Sequence, residues 1–172
     1  MTTTPADDAV IDGEAVRAFT DQYGSTASGL PPLAIVIAAY NEEGAIGPVI
    51  EALPASVCGL AVAKIVVSDG AVDGTVKEAE AAGALVCDVP VNRGQGAALR
   101  LGYRLARGGG AKYIVTTDAD GQYNPAEIER LLEPILAGEA DFVTGSRRLG
   151  SEETRDPVRR LGVRVSRSPS AR

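Results

Sequence analysis

Residues 33–43 read LAIVIAAYNEE, and this stretch decides the fold. Seven apolar residues in a row have the length of a β-strand. They are apolar at every position, as a parallel strand covered on both faces must be. The run stops on a polar cluster, Tyr40-Asn41-Glu42-Glu43. Just beyond, Ile46, Val49, Ile50 and Leu53 fall at i, i+3, i+4 and i+7, one face of a helix. The unit is strand, polar rim, helix.

The same unit recurs further along. Residues 62–67 (VAKIVV) read as a second strand, ending on Ser68-Asp69-Gly70. Asp73 is placed to cap a helix running to about Ala82, with Gly83 at its C-terminal turn. Residues 84–89 form a third strand. Asn92-Arg93-Gly94-Gln95-Gly96 follows it, and residues 96–107 read as a helix ended by three glycines. Residues 113–117 (YIVTT) form a fourth strand. Asn124, Pro125 and Glu127 then stand as cap, first and third residues of a helix whose apolar face is Ile128, Leu131, Leu132, Ile135 and Leu136. Residues 141–144 (DFVT) are expected as a fifth strand. Alternation with short connections predicts an α/β fold: an open, mostly parallel sheet with helices on both faces, a Rossmann-like nucleotide-binding half. The expected division is a flexible leader over 1–32, with at most a short helix around 14–19. A domain over 33–147 and a basic tail over 148–172 follow.

Such sheets bind ligands beyond the carboxyl ends of their strands. Asp118 and Asp120 stand there, two apart in an extended segment, and so project to one side. Two carboxylates sharing one spot repel unless a cation lies between them. A divalent ion resolves that conflict and also neutralises a pyrophosphate. Gln122 continues the alternation with a neutral oxygen. The chain contains no His, so the metal would be oxygen-ligated, Mg²⁺ or Mn²⁺ rather than Zn²⁺. Asp69 is placed to accept hydrogen bonds from a nucleobase or ribose. Gly94 and Gly96 lead into a helix N-terminus able to receive an anion. The full GxGxxG is missing and the glycines follow the third strand, which argues against a nicotinamide dinucleotide. Arg93 and Arg147 bracket the rim as candidate phosphate ligands.

The formal net charge is −6 and is unevenly distributed. Residues 1–146 hold 9 basic and 20 acidic groups, residues 147–172 hold 8 and 3. The basic end suits a phosphate or an anionic membrane surface; a nucleic-acid partner is not expected. Cys58 and Cys87 form no CxxC pair and read as free thiols. The acidic first residues lack the pattern of a signal peptide, and a cytoplasmic location, peripheral at the inner face of the membrane, is expected.

The rim motifs AAYNEE (38–43), SDGAVDGT (68–75), NRGQGAALRLG (92–102), DADGQYNP (118–125) and TGSR (144–147) together resemble the inverting glycosyltransferases of family 2. They are most similar to the branch making polyprenyl-phosphate sugars, the dolichyl-phosphate mannose or glucose synthases. The resemblance implies a GT-A fold and a UDP- or GDP-sugar donor. It implies nucleotide-sugar contacts from Ala38, Tyr40, Glu42, Asp69, Gly94, Gly96 and Asp118, and a metal at Asp118, Asp120 and Gln122. It implies catalytic roles for Asp120 and Arg147, and a polyprenyl-phosphate acceptor that attacks with inversion. The family pattern has Pro at Ala38 and DDGS where this chain has Ser68-Asp69-Gly70-Ala71. Relatives continue well past GSR, and the Ser/Arg/Pro-rich end resembles a truncated or frameshifted terminus. A non-catalytic nucleotide-sugar-binding remnant is therefore the alternative expectation.

Overall fold

A computed structural model describes residues 4–145. In chain order the elements are α1 (Pro5–Tyr23), the single turn α2 (Ser25–Ser28), β1 (Leu33–Ala39), α3 (Ile46–Ala52), β2 (Ser56–Val57) and β3 (Leu60–Asp69). Then come α4 (Thr75–Ala81), β4 (Leu85–Val89), α5 (Gln95–Gly108), β5 (Tyr113–Asp118) and α6 (Glu127–Leu136).

The parallel strands lie in the order β4-β3-β1-β5. β1 is central, and its residues from Leu33 to Ile37 are fully buried. The chain first winds from β1 outward to β3 and β4, then returns to the other side of β1 with β5. The carboxyl ends of β1 and β5 therefore sit side by side where the winding reverses, with Ala38 opposite Asp118. That reversal opens a crevice between loops departing to opposite sides, the usual ligand position in such sheets. β2 adds a short antiparallel hairpin to the start of β3. Its two-residue turn, Cys58-Gly59, has φ of 49° and 75°, the left-handed pair that matches strand twist.

Helices cover both faces. On one, α5 and α1 meet Ala34, Val36, Ile65 and Val67, with Leu101 and Ala98 at the centre. On the other, α3, α4 and α6 cover Ile35, Ile37, Val66 and Val86 through Ile46, Ile50, Ala79, Ile128 and Leu132. Gly102 lets α5 settle directly on the sheet, because a β-carbon there would overlap Val36 and crowd Val67.

Three expectations need correction. Residues 5–23 are a 19-residue helix rather than a flexible leader, with Ala15 and Phe19 only 5% and 3% exposed. The helix is capped by Thr4 and Asp7, each bonding the other's backbone N–H. Its weak amphipathic pattern hides it in the sequence; its polar anchors come from 57 to 85 residues away. Second, residues 141–144 form no strand: they have no ladder partner among the described residues, and Phe142 is 82% exposed. A strand needs a neighbour to satisfy its backbone, and two apolar residues bury too little to impose one. Third, Asp73 lies two residues ahead of α4, whose N-cap is Gly74; its carboxylate still accepts from the Thr75 backbone N–H.

Candidate functional site

The site is built from loops at the carboxyl edge of the sheet. The loop after β1 and the loop after β3 are tied together reciprocally. Glu42 N–H donates to Thr75 Oγ1 at 2.8 Å, and Glu43 N–H to Asp73 at 3.2 Å. Gly74 N–H donates back to Glu43 at 2.9 Å, and Val72 N–H to Asn41 Oδ1 at 2.9 Å. Glu78 on α4 receives Gly44 N–H at 2.6 Å and Gly47 N–H at 3.1 Å, placing a carboxylate at the start of α3. Thr75 is fully buried, and its hydroxyl donates to Asp73 while accepting from Glu42. That hydroxyl is the first cause holding the Asp73 carboxyl below the ordinary carboxylate range. These acidic residues thus serve first as loop fasteners.

Asp69, ending β3, is 3% exposed. Its carboxylate accepts the Arg93 N–H at 3.0 Å and the Gly94 N–H at 2.6 Å. Its oxygens shape the loop after β4 rather than standing open on the rim. Gly70 next to it adopts φ 74° against the backbone of Val91 and Asn92, where any β-carbon would collide. Ser68, where the family pattern has an acid, is fully buried and donates to Asp88 at 2.9 Å. Gly94, at φ 90°, is the N-cap of α5, and its N–H donates to Asp69 and, at 3.2 Å, to Asn92 Oδ1. Gly96 lies exposed in the first turn of α5. The expectation that Arg93 flanks the rim is corrected: its side chain is 2% exposed and faces α1, 2.8 Å from Asp12 and 3.6 Å from Asp8.

Asp118 ends β5 and Asp120 follows it across Ala119, which is 3% exposed and turned into the core. Both aspartates line one cavity of about 400 Å³ between α3 and residues 117–128. Pro48, Val49, Leu53, Pro125 and Ile128 supply its apolar walls. Asp118 Oδ1 accepts from the Gln95 amide at 3.0 Å, and Asp120 Oδ1 accepts from the Gln122 backbone N–H at 3.0 Å. No Lys or Arg pairs with either among the described residues. Each carboxylate therefore keeps an oxygen for another ligand. Gln122 is exposed and is not among the residues lining the cavity. Tyr40 is 49% exposed, and Glu42 half-buried, at the rim. Arg147 lies outside the described residues.

This donor set suits a hard divalent cation. Mg²⁺ and Mn²⁺ are commonly held by one or two carboxylates, with phosphate and water oxygens completing the shell. No cluster of three or more His, Cys, Asp or Glu capable of holding a metal is present among the described residues. A metal here would depend on its diphosphate for further ligands.

Residues 34–171 match the model of glycosyl transferase family 2. The chain belongs to this family. It is 36% identical over 130 residues to an uncharacterized protein of Methanocaldococcus jannaschii, covering 74% of this chain and 52% of that one. It is 30% identical over 124 residues to the dodecaprenyl-phosphate galacturonate synthase of Rhizobium johnstonii, covering 67% and 36%. Among solved structures, glucosyl-3-phosphoglycerate synthase from Mycobacterium tuberculosis, in complex with Mn²⁺, UDP and glucosyl-3-phosphoglycerate, superposes with a TM-score of 0.53 at 30% identity. That match covers 70% of this chain and 44% of the other. The sheet is thus GT-A-like. The chain spans about half the length, or less, of the relatives it matches.

The fasteners Thr75, Glu43 and Glu78 escaped the sequence reading. Their partners lie 31 to 34 residues away in the chain, so no local spacing signals them.

Proposed function

We propose that this chain forms the donor half of a metal-assisted glycosyltransferase that moves a sugar from a UDP- or GDP-sugar to a polyprenyl phosphate with inversion. The observation carrying this reading is the placement of Asp118 and Asp120. They lie on one cavity, at the reversal point of the sheet, without a basic partner among the described residues. The family relatives support the acceptor class, since one is a dodecaprenyl-phosphate sugar synthase. The structural neighbour was obtained with Mn²⁺ and UDP, which supports the donor class.

In this reading Asp118 and Asp120 hold Mg²⁺ or Mn²⁺ against the donor diphosphate. The ion would supply Lewis-acid stabilisation of charge on the departing nucleotide. Ala38, Tyr40 and Glu42 form the nucleoside side of the crevice. Asp69 acts there by fixing the turn at Arg93 and Gly94, and Gly96 opens α5 toward the phosphates. Gln95 orients Asp118 through its 3.0 Å hydrogen bond. An acceptor phosphate is already anionic near neutral pH and needs no strong base. Arg147 would offset its charge. No helix among the described residues is long and apolar enough to cross a membrane.

Calorimetry with UDP and GDP, with and without Mn²⁺, tests the reading on wild type and Asp120→Ala. The expected result is binding of one nucleotide that depends on Mn²⁺ and weakens at least about tenfold in the variant. Failure of both nucleotides to bind wild type, or metal-independent binding unaffected by Asp120→Ala, overturns it.

A further inference from the structure

We infer that α1 is a positioning element for the donor loop, acting through the buried pair Asp12–Arg93. The inference rests on the donor-site reading above. It concerns a helix that precedes the family match, which begins at residue 34.

Arg93 follows Asn92 in the loop leading to α5. Its side chain is 2% exposed, yet a guanidinium always carries charge. A buried charge must be compensated, or it costs far more than an ordinary buried polar group. The compensation comes wholly from α1 among the described residues. Arg93 Nη2 lies 2.8 Å from Asp12 Oδ1, and Nη1 lies 3.6 Å from Asp8 Oδ1. Nη1 also donates to the Asp8 carbonyl at 3.3 Å. Arg93 Nε, Nη2 and Asp12 Oδ1 are buried with no well-aligned hydrogen bond, so charge attraction holds the close contact.

The backbone of the same residue is pinned from the opposite side. Arg93 N–H and Gly94 N–H both donate to Asp69 on β3. The next residue, Gln95, donates to Asp118 at 3.0 Å. A continuous path therefore runs from Asp12 through Arg93 and Gln95 to the candidate metal ligand. α1 is itself a firm base. Phe19 is buried, its ring is 4.9 Å from that of Tyr23, and Tyr23 Oη accepts the Val86 N–H on β4 at 2.9 Å. Asp12 is a positioning residue: it touches neither donor nor metal, and works through Arg93.

The test compares Asp12→Asn with Phe19→Ala, which removes a core side chain about two helical turns from the ion pair and leaves α1 held by Tyr23 and by the pair itself. Amide hydrogen exchange at residues 93–95 reads the loop directly, and calorimetry with UDP or GDP plus Mn²⁺ reads its consequence. Asp12→Asn is expected to speed exchange at Arg93 and Gly94 about tenfold or more and to weaken nucleotide binding about five- to tenfold. Phe19→Ala should lower Tm while leaving both readings near wild type. The double exchange Asp12→Arg with Arg93→Asp should restore part of the slow exchange. Asp8→Asn, removing only the weaker partner, replaces Asp12→Asn if that variant fails to fold, with a smaller change in the same direction. Unchanged loop exchange in Asp12→Asn, unchanged nucleotide affinity, or equal effects from Phe19→Ala, overturns the inference. If wild type binds no nucleotide, the donor reading fails separately, and exchange alone decides whether α1 holds the loop.

Discussion

Replacing Thr75 with valine keeps the branched shape of a fully buried side chain and removes one oxygen. That oxygen accepts the Glu42 N–H and donates to the Asp73 carboxylate. Losing the acceptor strands a part-buried backbone donor, at a cost of about 1–3 kcal/mol. Losing the donation to Asp73 adds little, because that carboxylate is exposed and screened. The sum is about 1–3 kcal/mol, equal to a Tm decrease of roughly 2–12 °C for a chain of this size. Thr75→Ser keeps the oxygen and deletes a methyl group, costing about 1 kcal/mol. Urea titration and thermal unfolding of both variants give the comparison. Serine outperforming valine is the expected order; a valine variant as stable as wild type, or more stable than serine, refutes the hydrogen-bond account. A pH series adds a second check. Asp73 has its folded pKa lowered from the ordinary 3.8, first by the Thr75 hydroxyl. Its contribution is therefore present above about pH 4 and lost as pH falls through the depressed folded value. In Thr75→Val that acid-side loss should shrink.

Gly102→Ala should destabilise by about 1–2 kcal/mol, since overlap with Val36 outweighs the roughly 1 kcal/mol gain in helix propensity; urea unfolding measures it. The two thiols should differ sharply in alkylation of the native protein at pH 8. Cys87 is 1% exposed, and burial pushes its thiol up to about 12, so it should react only on unfolding, whereas the half-buried Cys58 should label at a measurable rate. Because the folded value of Cys87 is raised, its stabilising contribution is complete below its ordinary value near 9 and declines as pH climbs toward about 12.

The sheet was legible because β1 is buried along most of its length and reads as an unbroken apolar run, while β3, β4 and β5 are rich in β-branched residues despite Lys64, Asp88 and the part-exposed β5. β1 occupies the residues expected of it, and β3, β4 and β5 differ only at their ends. α1 was not legible, because its apolar residues are poorly gathered on one face and its hold on the domain comes from distant partners such as Arg93, Glu80 and Val86. β2 is two residues long, below the reach of any periodicity. At the site, Asp118 and Asp120 line one cavity as expected, although the strand ends at Asp118 and residues 119–120 are a turn rather than an extended segment. Gln122 lies beyond that turn and the bend at Gly121 (φ 69°), off the cavity. Asp69 and Arg93 were assigned outward-facing roles, whereas both look inward. A residue's partner in three dimensions, not its type, decides between ligand and fastener.

The lattice of bonds between residues 41–47 and residues 72–78 has a consequence for re-engineering this edge of the sheet. Asn41, Glu43, Asp73, Thr75 and Glu78 each reach across to the opposite segment. Grafting one segment from a relative would leave half of those partners mismatched and misfold the recipient edge. Exchanged together as one cassette, the two segments would carry their own complementarity with them.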